Sequence, residues 1–307
     1  MKGSVHKSVL SVVVVSVMLV FTGVASTKGP AKDWEAKVPQ FQQELEDAGF
    51  SLHEGEVEYI DLVHECCDGH VADTLANNPW PNAYLVLSNL TPEGYPSLPM
   101  EWLWQLGEDE AIVLVGQTPP AVAYFSYQTF MQVPPYGEGT LPPIGVEPRM
   151  GIAVGDTTNI ATVHTIGPDP FNRPIVYIIT GHRETERLVR AAALAAGYPA
   201  AVINVEAISP VIAPLGIGPS GSLFYLGQRN AVAEDPALLE AYIKEPPYRV
   251  FRVTPDVQLA PDPQPVPVLR PRGTGHTEME LYPALKRLRQ AILDQYGGPH
   301  KELDTHV

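Results

Sequence analysis

The segment Pro174–Pro210 has the sequence PIVYIITGHRETERLVRAAALAAGYPAAVINVEAISP. Its first seven residues are apolar or β-branched, which is typical of a strand covered on both faces. Glu184–Ala196 has apolar side chains on one side and arginines on the other, which predicts an amphipathic helix that ends at Gly197. Ala201–Ile208 returns as a strand, so we predict a right-handed β-α-β unit at 174–210. The expected apolar face of the helix consists of Leu188, Ala191, Ala192 and Ala195.

The rest of the chain has more strand segments than helices, and several strands follow each other without room for a crossover helix. This pattern predicts an α+β fold, with a mixed β-sheet and helices packed on one side. The division we expect is an N-terminal α+β lobe at 26–132, a second lobe at 149–253 that contains the β-α-β unit, and a C-terminal region at 254–307. The mature chain is long enough for one large domain or for two smaller ones, each with its own core. The C-terminal region has a proline-rich strap and a last helix, whose side chains expected to point inward are Leu285, Leu288, Ile292 and Tyr296.

Residues 1–25 have the pattern of a secretory signal peptide. Lys2 and Lys7 precede an apolar run from Val9 to Val24, and small residues follow it. The alternative is an uncleaved membrane anchor, because the apolar run is just long enough to span a bilayer. We expect cleavage, a secreted protein and no membrane association of the mature chain. In such a protein the sequon that begins at Asn89 would be a glycosylation site if the source glycosylates exported proteins.

The chain is acidic, with a formal net charge of −15. Nucleic acids and anionic lipids need a concentrated basic surface, so neither is an expected partner. A nicotinamide or flavin cofactor is also disfavoured, because no Gly-x-Gly-x-x-Gly motif follows a strand. The partners that remain are a small molecule or an anionic ligand, and the composition does not indicate an oligomeric state.

A dense group of metal-ligand residue types occurs at 64–70. His64, Cys67 and His70 are spaced by three, so they could converge on one side of a helical turn and bind zinc or another divalent metal. The alternative is a surface turn with a buried pair of cysteines, Cys66 and Cys67. These are the two cysteines of the chain, and being adjacent they cannot staple distant parts of the fold.

Candidate catalytic residues lie on both sides of the first strand of the β-α-β unit. Asp156 and His164 precede this strand, and His182 follows it. An aspartate that orients a histidine makes a general base, for which Ser126 on an earlier strand could be the nucleophile. The alternative is that Asp156 caps a turn and that His164 is a strand residue without a catalytic role.

A third group is basic. Arg252, Arg272 and the neighbouring His276 lie in the most arginine-rich part of the chain, and Gly273-Thr274-Gly275 offers backbone amides at a possible helix start. Arginines beside exposed amides bind carboxylate or phosphate well, which predicts an anion site. The alternative is that these arginines form ion pairs with the excess of acidic residues.

The sequence therefore supports two functions. The first is a secreted enzyme that acts on a small molecule, of hydrolase or lyase type, with histidine and aspartate acid–base chemistry. The second is an extracellular metal- or anion-binding protein without catalysis. A structural matrix component is a third class, but we find no repeat or low-complexity segment that would indicate it.

Overall fold

The computed structural model describes residues 33–60, 83–98, 100–133, 135, 151–268 and 278–297. The predicted metal ligands His64, Cys67 and His70, the predicted anion ligands Arg272 and His276, and the predicted signal peptide lie outside these residues. No helix among the described residues is long and apolar enough to cross a membrane.

Ten strands and four α-helices make up the described fold. The α-helices are α1 (Val38–Asp47), α2 (Arg183–Ala195), α3 (Pro236–Lys244) and α4 (Glu278–Tyr296), and short 3-10 turns occur at Glu35–Lys37 and Ala200–Val202. The strands are β1 (Phe50–Ile60), β2 (Ala83–Ser88), β3 (Ala111–Gln117), β4 (Val122–Val133), β5 (Ile152–Ala153), β6 (Thr158–Asn159), β7 (Pro174–Thr180), β8 (Ile203–Ala207), β9 (Leu223–Ala233) and β10 (Tyr248–Pro255).

The strands form one mixed sheet, so the fold is α+β. The strand order is β5-β4-β9-β2-β1-β10-β3-β7-β8, and β6 also pairs with β4. Neighbours are antiparallel except β7 and β8, which are parallel and are connected through α2. Among the described strands, the paired neighbours that also follow each other along the chain are β1 with β2, β4 with β5, and β7 with β8, so most pairs join strands that are distant in sequence.

The long strand β1 joins the two halves of the sheet. Its residues Phe50–Gly55 pair with β10, and Glu56–Ile60 pair with β2. Gly55 lies at the change of partner, where a Cβ atom would come within 2.6 Å of the Ser88 carbonyl oxygen. A side chain cannot fit at that distance, so glycine permits the close approach of β1 and β2 at this point.

Strands from both halves of the sheet contribute to one shared hydrophobic core, because the sheet curls. Phe125 and Tyr127 on β4, Phe224 on β9 and Tyr177 on β7 all belong to this core. Tyr127 and Tyr177 stack with ring centroids 5.3 Å apart, although β4 and β7 are far apart in the strand order. The core thus lies inside the curl of the sheet.

A second core lies between the sheet and two helices. Phe41 and Leu45 of α1 and Val189 of α2 pack with apolar residues of β3, β7 and β10. In contrast, Leu239 and Tyr242 of α3 belong to the core inside the curl. The expected packing of helices on one side of the sheet thus holds for α1 and α2. It does not hold for α3, which packs inside the curl.

Two details of the helices differ from the sequence prediction. In α2 the buried residues are Thr185, Val189, Ala192 and Ala193, so the packed face is rotated from the predicted one. In α4 the predicted inward residues are largely exposed: Leu285 58%, Leu288 58%, Ile292 44% and Tyr296 66%. Periodicity finds an apolar face on a helix but cannot identify what covers that face.

Candidate active site

A cavity of about 440 Å³ opens where the two ends of the curled sheet meet, and its volume is in the range typical of small-molecule sites. One wall is the segment 155–164, which connects β5, β6 and the region before β7. The other wall is the edge strand β8 with Ala200 before it, and Arg190 of α2 and Pro267 complete the lining. The titratable side chains that line it are Asp156, His164, Arg190 and Glu206.

Glu206 connects the two sheet ends. It lies on β8, and its carboxylate accepts hydrogen bonds from the Thr129 N–H at 2.9 Å and the Thr129 hydroxyl at 2.5 Å, both on β4. The Gln128 amide donates at 3.1 Å and the Tyr177 hydroxyl at 3.3 Å. Thr129 pairs with Leu226 of β9 on one edge of β4. On the other edge it lies between the residues that pair with β5 and those that pair with β6, and its N–H donates to Glu206.

The environment of Glu206 changes its acidity. The side chain is 4% exposed, and burial raises the pKa of Glu206 to about 7, because desolvation disfavours the carboxylate and outweighs the hydrogen bonds from Thr129 and Tyr177. Burial, and next the nearby Glu206 charge, raise the pKa of Tyr177 well above 10, so the phenol keeps its proton and stays a donor. A carboxyl group of this kind can exchange a proton near neutral pH.

His164 is positioned by a second residue of β8. The Asn204 side-chain oxygen accepts from the backbone N–H of His164 at 2.7 Å, and the Asn204 side-chain amide donates to the backbone carbonyl of His164 at 3.0 Å. Asn204 itself is 5% exposed, whereas His164 is exposed. The backbone of His164 is therefore fixed at the cavity wall while its imidazole stays accessible.

The segment that carries Asp156 is also held against β4. The Thr157 hydroxyl donates to the Gln128 side-chain oxygen at 2.5 Å, and Gln128 is one of the donors to Glu206. The Tyr177 hydroxyl, which donates to Glu206, also lies 3.3 Å from the Thr158 hydroxyl oxygen. The same network thus positions both the Asp156 segment and the Glu206 carboxylate.

Two of the four predicted catalytic residues line the cavity and two do not. Asp156 and His164 are in its wall. Ser126 lies on β4 opposite Asn159 and is 6% exposed. His182 is the N-cap residue of α2, where its side chain accepts from the Thr185 N–H. Its other ring nitrogen lies 2.9 Å from the Ala260 carbonyl oxygen, so the ring holds the chain that follows β10.

The predicted anion ligand Arg252 is 1% exposed and bonded inside the protein. Its Nε donates to the Leu90 carbonyl at 2.6 Å, and its terminal nitrogens donate to Glu110 and to the Gln105 carbonyl, each at 2.5 Å. All three nitrogens are thus used by the fold. Arg252 therefore forms an ion pair with an acidic residue, Glu110, which is the alternative to an anion site that the sequence also allowed.

Sequence reasoning missed Glu206, Asn204 and Arg190. The signal for Glu206 and Asn204 was their position in Ala201–Ile208, where polar side chains interrupt an apolar strand. A buried charge needs hydrogen-bond partners, so such an interruption is a reason to look for a site. Arg190 carried no comparable signal, because an arginine on the polar face of a helix is ordinary.

The described residues contain no group of three or more histidine, cysteine, aspartate or glutamate side chains that could hold a metal ion. No protein family, curated protein or solved structure matches this chain.

Proposed function

We propose that this chain is an enzyme that acts on a small molecule bound in the cavity at the meeting point of the sheet ends. The observation that carries the proposal is the convergence of Asp156 and His164, from the segment 155–164, and Glu206, from β8, on one cavity. Imidazole and carboxyl groups are the commonest general acids and general bases. This cavity has both kinds of group, so it could supply one general acid and one general base. The reaction type that fits best is hydrolysis or elimination.

In this proposal each residue has a distinct role. His164, exposed at the wall, takes or gives the proton at the substrate, and Asp156 is the nearby carboxylate in the same wall. Glu206 is a buried acid whose pKa near 7 lets it donate or accept a second proton. When two titratable groups lie in different environments, their pKa values move apart, and this difference indicates which group acts as the acid and which as the base.

The remaining expectations from the sequence belong to the same proposal. We propose that the chain is exported, and that 174–210 acts as a right-handed β-α-β unit that frames the cavity. The division into two lobes is likewise a proposal. Zinc or another divalent metal at His64, Cys67 and His70 is a further proposal, and it concerns residues outside the described ranges.

The test is a screen for turnover with matched variants. The purified chain is incubated with mixtures of small esters, amides, glycosides and hydroxy acids, and conversion is followed by proton NMR. Any conversion is then measured with His164→Gln, Asp156→Asn and Glu206→Gln. We expect kcat/KM to fall about 100-fold or more for His164→Gln, since that is the contribution typical of general acid–base catalysis.

The control is His53→Gln. His53 lies on β1, its ring contacts the Asn89 carbonyl at 2.9 Å, and it is outside the cavity lining. This variant should keep full activity. Equal activity of all variants would assign the turnover to something other than the cavity, and binding without conversion would favour the alternative, a binding protein without catalysis.

A further inference from the structure

Arg190 lines the cavity together with two acidic residues, Asp156 and Glu206, and with His164. It lies on α2, and its side chain is 36% exposed. One terminal nitrogen, Nη2, donates to a Glu186 carboxylate oxygen at 2.7 Å. The other Glu186 oxygen accepts from the Gln264 amide at 2.9 Å, so the guanidinium is held by a chain of two side chains.

The contacts of Arg190 differ from those of Arg252. In Arg252 three nitrogens donate to protein oxygens and the side chain is 1% exposed. In Arg190 the contacts within the described residues engage one nitrogen, Nη2. A guanidinium has five N–H donors in a planar fork, so the rest of the Arg190 fork can donate to a ligand in the cavity.

We infer that the cavity binds a small molecule with a single carboxylate group, and that Arg190 is the residue that binds this carboxylate. A planar guanidinium matches a carboxylate with two parallel hydrogen bonds. The inference rests on the proposed function, because it takes the same cavity to be the substrate site. It adds the substrate class, a monocarboxylate, and a specificity-determining residue.

The acidic lining limits which anions can enter. Asp156 and Glu206 line the same cavity as Arg190, so a ligand with several negative charges would place one of them near a like charge. Like charges at close range disfavour binding, which makes them a device of specificity. The site should therefore discriminate against citrate and inorganic phosphate and accept a monocarboxylate whose remaining groups are uncharged.

The experiment measures binding by ligand-observed NMR and calorimetry at pH 7.5. The probes are pyruvate, lactate and benzoate, the matching primary amides, citrate, and inorganic phosphate. We expect at least one monocarboxylate to bind, its amide not to bind, and citrate and phosphate to bind more weakly. Arg190→Gln should weaken binding about tenfold or more, which is the typical loss for one charge-assisted hydrogen bond.

The matched control is Arg187→Gln. Arg187 lies one turn earlier on α2 and pairs with Glu184, but its side chain is 64% exposed and does not line the cavity. It should leave affinity unchanged. Arg190→Lys keeps the charge without the planar fork and should retain part of the affinity. Circular dichroism spectra of all three variants confirm that each is folded.

Three results would overturn the inference: no monocarboxylate in the panel binds, a carboxylate and its amide bind alike, or Arg190→Gln binds like the wild type. These results differ from those that refute catalysis. Carboxylate binding that depends on Arg190, together with no turnover in the substrate screen, would support the inference and count against the enzyme.

Discussion

At the scale of single residues, the fold uses buried charges in two ways. Glu110 and Arg252 are 2% and 1% exposed and pair with each other, and Glu110 also accepts from the Tyr95 and Thr254 hydroxyls, each at 2.7 Å. This pair fixes the chain before β3 against β10. Glu206 is equally buried but has no cation among its hydrogen-bond donors in the described contacts, and burial raises its pKa to about 7.

Removing one member of the Glu110 and Arg252 pair should be costly. We expect Arg252→Met to lower the free energy of unfolding by about 3–5 kcal/mol, because it leaves a buried carboxylate without its cation. Arg249→Met is the control on the same strand, since Arg249 pairs with Glu54 where the two side chains are 48% and 41% exposed. Arg249→Met should lower the free energy of unfolding by less than about 1 kcal/mol. Urea unfolding followed by tryptophan fluorescence measures both, and equal losses would contradict the prediction.

At the scale of elements, His182 connects α2 to the chain after β10. The Arg183 N–H donates to the Asp262 carbonyl and the Gln264 N–H to the Gly181 carbonyl, each at 2.8 Å, beside the His182 ring. Pro267, three residues after Gln264, lines the cavity. The start of α2 is therefore connected to two parts of the cavity lining, Arg190 on α2 itself and Pro267 after β10.

Replacing His182 should loosen this connection. We expect His182→Ala to lower the free energy of unfolding by about 1–2 kcal/mol through the lost N-cap, and to speed hydrogen exchange at the Asp262 and Gln264 amides. The control is Asp235→Ala, which removes the cap of α3, where Asp235 accepts from the Ala237 N–H at 3.0 Å. That variant should lose similar stability without faster exchange at 262 and 264. Unchanged exchange in His182→Ala would show that the ring does not hold this segment.

At the scale of the whole molecule, the curl of the sheet brings β8 and β4 together. Thr129 and Glu206 are 77 residues apart in sequence and are joined by two hydrogen bonds at the sheet ends. The cavity lies at this meeting point, so the same carboxyl group closes the sheet and lines the proposed active site. Proton binding at Glu206 should therefore influence global stability.

The sign of this influence follows from the raised pKa. Between the ordinary value of 4.5 and the folded value of about 7, the folded carboxyl binds more protons than the unfolded one. The stabilisation that protonation supplies is thus fully present below pH 4.5 and is lost as pH rises through about 7. We expect the free energy of unfolding of the wild type to fall by about 3 kcal/mol relative to that of Glu206→Gln between pH 4.5 and 8. Urea unfolding at each pH measures this difference. Parallel pH profiles of the two proteins would contradict the prediction.

The sequence by itself determined the local elements. The strands Pro174–Thr180 and Ile203–Ala207 and the helix Arg183–Ala195 lie where the apolar runs, the periodicity and the stop residue of 174–210 indicate them. These signals are short-range, because each depends on residues within one element. Even so, Leu223–Ala233 was not predicted as a strand, although β9 pairs with both β2 and β4.

Only the tertiary structure decided which of these elements meet. Asp156 and His164, predicted from the sequence as candidate catalytic residues, line the cavity, whereas Ser126 and His182, predicted with them, do not. Glu206 and Arg190 line the cavity and were not predicted. Arg252 was predicted as an anion ligand from its residue type, and in the structure it forms a buried ion pair with Glu110. The physical reason is that strand register and sheet curvature depend on long-range pairing, which the pattern within a single segment does not encode.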